Sequence, residues 1–79
     1  MNDFWVQFTE GTSAGEITAG LDAVPASDAT FEVDSWVFTA EWGTTQRDLN
    51  NLKGRIETGS SRGSVSAIGV PEEDDSSST

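Results

Sequence analysis

Fourteen Asp and Glu residues are the only abundant side chains in this 79-residue chain that can move protons or hold ions, against one Lys and three Arg. Neither Cys nor His occurs. Their absence excludes disulfides, thiolate chemistry and sulfur-held zinc, and it removes the usual general base near neutral pH and the commonest transition-metal ligand. Carboxylate pairs for general acid and base work are numerous, but no spacing singles one out. The run Glu72, Glu73, Asp74, Asp75 lacks the spaced oxygen donors and turn glycine of a calcium loop, so it reads as a solvated tail. Ser60 and Ser61 have no His and no well-placed Lys to activate either hydroxyl. The expectation is a protein that is not an enzyme and holds no cofactor and no metal.

The net charge of −10 is unevenly spread. All four cations, Arg47, Lys53, Arg55 and Arg62, fall within residues 47–62, which with Asp48 and Glu57 carry net +2 and leave −12 on the remainder. These four make a candidate basic patch for an anion or an acidic partner. The plainer account is that they complement a helix C-terminus and pair along its exposed face, or receive the acidic run at 72–75. So large an acid excess disfavours nucleic acid and anionic membranes as partners. Many acids, one Lys and much Ser, Thr and Ala match the composition of salt-adapted proteins, in which concentrated salt screens the repulsion. The first residues lack the basic and apolar regions of a signal peptide, and no apolar run approaches membrane-spanning length. A soluble, cytoplasmic protein is expected.

The elements that must position these charges centre on residues 31–42, FEVDSWVFTAEW. Aromatic and β-branched residues alternate there with polar ones, the pattern of a half-buried strand. The alternation changes phase at Asp34 and Ser35, which predicts a hairpin or one bulged long strand. Before it, residues 3–9 read as a strand with Phe4, Val6 and Phe8 inward and Trp5 outward. Ser13 and Glu16 have capping-box spacing ahead of an apolar stripe at Ile17, Leu21 and Val24, and Pro25 stops that helix. Gly15 and Gly20 each weaken it by about 1 kcal/mol relative to Ala. Residues 26–28 are a loop. A second helix runs from an N-cap at Thr44 or Thr45 through Glu57 on the stripe Leu49, Leu52 and Ile56, with Gly59 as its C-cap. Residues 64–70 supply a last strand of ambiguous facing.

The order β-α-β-β-α-β is that of the ferredoxin-like sandwich, an antiparallel sheet with two short helices on one face. The alternative is a β-rich fold with a single helix at about 45–57. Residues 1–71 are expected to form one α+β domain, followed by an acidic, Ser-rich tail at 72–79. RNA-recognition modules use the same strand order, but residues 35–42, SWVFTAEW, lack their basic-Gly-aromatic signature, and Glu32, Asp34 and Glu41 would meet the phosphates.

Function is expected on the sheet face that carries no helix, with Trp5, Val37 and Trp42 as its apolar contacts. The expected role is a small acidic interaction or structural module that associates with itself or a larger assembly, viral or otherwise multi-subunit. One alternative is an acidic inhibitor that mimics nucleic acid, and another is a small-ligand-binding α+β barrel formed by a dimer, with a pocket between the sheet and the helices.

Overall fold

The computed structural model describes residues 2–24 and 28–71. Along them run β1 (Asn2–Phe8), α1 (Ala14–Asp22), β2 (Thr30–Glu32), β3 (Ser35–Ala40), α2 (Gln46–Gly59) and β4 (Val65–Gly69). The strands form one antiparallel sheet in the order β2-β3-β1-β4. The chain is therefore α+β, and residues 14–22 are helix rather than strand. Pro25 as a helix stop, the loop at 26 and 27, and the acidic tail at 72–79 lie outside the described residues.

Both helices start as their sequences dictate. Ser13 accepts from the Glu16 amide while the Glu16 carboxylate takes the Ser13 amide, and Thr45 and Asp48 do the same for α2. Each box satisfies two amide donors that the first turn would otherwise leave free. The core lies where α2 meets the sheet: Leu52 and Ile56 are fully buried against Phe4, Val6, Phe38 and Ala40. The rings of Phe4 and Phe38, opposite each other in the β1–β3 pair, stack at 5.7 Å.

The phase change in the central stretch is a hairpin. Glu32 pairs with Ser35 across the two-residue turn Val33-Asp34, so the turn falls one residue earlier than Asp34 and Ser35 suggested. Val33 adopts φ 59°, a left-handed conformation that hairpin turns need and that a β-branched residue takes at a cost. Its side chain is 96% exposed and repays nothing in packing.

β4 was unreadable because it contains a bulge. Ala67 pairs with Gln7 but Val65 pairs with Phe8, leaving Ser66 as an extra residue. Val65 and Ile68, three positions apart, thereby come to lie opposite Phe8 and Val6 on the core side of β1. A straight strand of period two cannot place that spacing on one face.

Gly59 is the last residue of α2, and Ser60 caps the helix with φ −102°; the left-handed glycine cap expected there is absent. Its role is contact. A Cβ on Gly59 would stand 2.6 Å from the Ala19 carbonyl oxygen and 2.8 Å from the Ala23 Cβ, and one on Gly20 would stand 3.0 Å from the Ile56 carbonyl oxygen. The two glycines let α1 and α2 touch backbone to backbone, and α1 leans on α2 more than on any strand.

Two stability predictions follow from these backbones. Val33→Gly should raise the unfolding free energy by about 1 kcal/mol, measured by urea titration, because a glycine carries no left-handed penalty. Gly59→Ala should lower it by more than about 1 kcal/mol through overpacking, whereas Gly54→Ala, with open space around its Cβ position, should raise it by up to about 1 kcal/mol.

Candidate functional site

The sheet face away from the helices is built by one register. Thr30 of β2 pairs with Val37 of β3, Val37 with Trp5 of β1, and Trp5 with Gly69 of β4. Paired residues of an antiparallel sheet point to the same side, so these four form a row across all four strands. The neighbouring row, Phe31, Trp36, Val6 and Ile68, points to the core side.

Trp5 lies along its row over the backbone of Gly69. A Cβ at Gly69 would fall 2.6 Å from the indole ring, so the ring occupies the place that a β4 side chain would take. This cross-strand shelter explains why Trp5 is half-buried on a face with no helix. Around Trp5 and Val37 the face is polar: Asp3 accepts a 2.7 Å hydrogen bond from Thr39 Oγ1, and Gln7 pairs with Ala67.

Trp5 and Val37 are thus brought together as expected, and Trp42 stands apart from them. Its indole nitrogen donates a 2.8 Å hydrogen bond to the Asp48 carbonyl in α2, and the Arg55 guanidinium lies 5.6 Å from its ring centroid. The other aromatics sit on the helix side or along its edge. Phe31, 55% exposed, meets Trp36 edge-on at 5.3 Å.

The four cations do not gather into one surface. At about 100° per residue, Arg47, Arg55 and Lys53 point in three directions around α2. Arg55 is engaged within the chain, because its Nε donates to the Ala23 carbonyl at 2.8 Å while its guanidinium covers Trp42. It links the end of α1 to α2 and to the segment after β3. Arg62 is exposed in the loop before β4.

The described acids lie on β1, β2, both helices and the connecting segments, with none in β3 or β4, and several have structural partners. Glu16 and Asp48 close the capping boxes, Asp3 holds Thr39, and Glu57 accepts from the Val65 amide at 3.2 Å. Among the described residues no three carboxylates gather where they could hold a metal ion.

Residues 59–63, Gly-Ser-Ser-Arg-Gly, have the G-x-S-x-G spacing of a nucleophile elbow, a match that the reading of Ser60 and Ser61 passed over. Such an elbow joins a strand to a following helix. Ser61 instead follows α2 and leads into β4, and the chain has no His, so the spacing carries no catalytic geometry here.

A cavity of about 350 Å³ lies between α1 and β3, lined by Leu21 and Asp22 of the helix and by Trp36 and Phe38 of the strand; the small-ligand alternative set a pocket between sheet and helices but identified none of these residues. No sequence pattern signals them, since the cavity depends on how far α1 leans from the sheet. Among the described residues no helix is long and apolar enough to cross a membrane. The chain matches no protein-family model, no curated protein and no solved structure.

The Trp5 shelter gives a direct prediction. Gly69→Ala should drive the indole off β4 into water, which shifts Trp emission to longer wavelength and increases quenching by acrylamide. An unchanged spectrum would mean that the ring does not rest on Gly69.

Proposed function

We propose that this chain is a non-enzymatic interaction or structural module that associates through its open sheet face with a copy of itself or with a larger assembly. The observation that carries the reading is the row Thr30, Val37, Trp5 and Gly69, which sets a half-buried Trp beside a half-buried Val on a face with no helix over it. Burial of partly exposed aromatic and aliphatic groups is the main favourable term in association. A small domain also gains stability by covering such a face. The strand order β2-β3-β1-β4, with helices after β1 and β3, supports assignment to the ferredoxin-like class, whose open sheet face is the natural surface for a second subunit.

The described acids lie on both helices, on β1 and β2 and in the connecting segments rather than along a single element, which favours salt adaptation over nucleic-acid mimicry, since mimicry would set carboxylates in order along one face. A cytoplasmic setting, or a particle assembled there, fits that composition.

Absolute mass by light scattering on a size-exclusion column tests the reading. In multimolar KCl, where the Debye length falls to about 3 Å or less, the chain should form a dimer or larger species. Val37→Lys, which puts a charge beside Trp5, should return it to monomer with the helical signal intact. A monomer at high concentration in all salts would overturn self-association.

A further inference from the structure

α1 meets α2 at Gly20 and Gly59 and leaves its stripe residues Ile17 and Leu21 only half-buried. The space beside them is the cavity of about 350 Å³, whose floor includes Trp36 and the fully buried Phe38. That volume is at the small end of the range for ligand sites. Its rim is of one sign: Asp22 and Asp28 are both exposed at the edge, and no Lys or Arg is among the described residues that line it. α1 also ends here. Its last turn contains no basic residue, but the Arg55 guanidinium bonded to the Ala23 carbonyl offsets the negative end of the helix dipole, so the two carboxylates set the sign of the rim. Arg55, the cation bound to the end of α1, is turned to the Ala23 carbonyl and the Trp42 ring.

We propose that this cavity binds a small amphiphilic amine, with its apolar body against Leu21, Trp36 and Phe38 and its ammonium group between Asp22 and Asp28. The site lies on the opposite side of the sheet from Trp5 and Val37, so it is independent of the assembly reading. Both carboxylates are exposed, and exposed ion pairs are weak. The rim therefore supplies only a modest preference for positive charge, added to contact with the half-buried Leu21 and Trp36.

The test is a titration of the ¹⁵N-labelled full chain with phenethylamine and with its uncharged counterpart, 2-phenylethanol, followed by amide shifts at about 0.1 M salt. Both should give saturable shifts at Thr18, Leu21 and Ala29 and at the Trp36 indole, with the amine binding about fivefold more tightly. In Asp22→Asn/Asp28→Asn the amine should fall to within about twofold of the alcohol, while the alcohol stays unchanged. Absence of saturable shifts at these residues would overturn the site. An amine preference that survives the double substitution would overturn the role of the rim, since attraction to the −10 chain as a whole would then account for it. Val37→Lys should bind both compounds as the parent does, which separates failure of this site from failure of the assembly face.

Discussion

The backbone contact between the two helices, made possible by Gly20 and Gly59, is the constraint on which the arrangement of this molecule depends. α1 has nine residues, too few to be stable alone. The contact that holds it needs hydrogen atoms where side chains would stand, 2.6 Å from the Ala19 carbonyl at Gly59 and 3.0 Å from the Ile56 carbonyl at Gly20. Arg55 ties the end of α1 to the same helix. Drawn to α2, α1 does not close over the β2–β3 side of the sheet. The cavity at Trp36 and the 55% exposure of Phe31 on β2 are the two consequences.

The sheet separates two kinds of surface. On the core side α2 covers Phe4, Val6 and Phe38, and the hydrophobic stabilisation is concentrated there. On the other side Trp5 is sheltered by Gly69 and flanked by Val37, among polar neighbours that tolerate water. A face of this kind is stable in a monomer and still has apolar area to give up in a complex. The acids contribute to the fold as well as to its repulsion: those at positions 3, 16, 48 and 57 satisfy hydroxyl or amide donors. Salt that screens the exposed remainder would leave these short contacts largely in place.

Much of the secondary structure was legible because local chemistry decided it. Ser13 and Glu16 announced α1, the stripe of Leu49, Leu52 and Ile56 announced α2, and the broken alternation after Val33 announced the hairpin. Trp5 was legible as an outward residue for the same reason, since period two fixes the face once a register is known, whereas the alternation alone left open whether Val37 or the set Trp36, Phe38 and Trp42 faces outward. What depended on two segments meeting was not legible. The Ser66 bulge put Val65 and Ile68 on one side, and Trp42 went to the Asp48 carbonyl rather than to the open face. Gly20 looked like a weakness in α1 and Gly59 like a cap for α2, yet both are contact residues. The residues that line the cavity were hidden because no local pattern records the tilt of a helix.

The most direct test of this account is the set of nuclear Overhauser contacts made by the Gly59 α-protons in the isotope-labelled chain. The account predicts strong cross-peaks from Gly59 to the Ala23 methyl, and from the Gly20 α-protons to the Ile56 γ2 methyl. If those are absent, and the Ala19 and Ala23 methyls instead contact the rings of Phe31 or Trp36, then α1 lies over the outer strands, the cavity is closed, and the helix contact does not organise the fold.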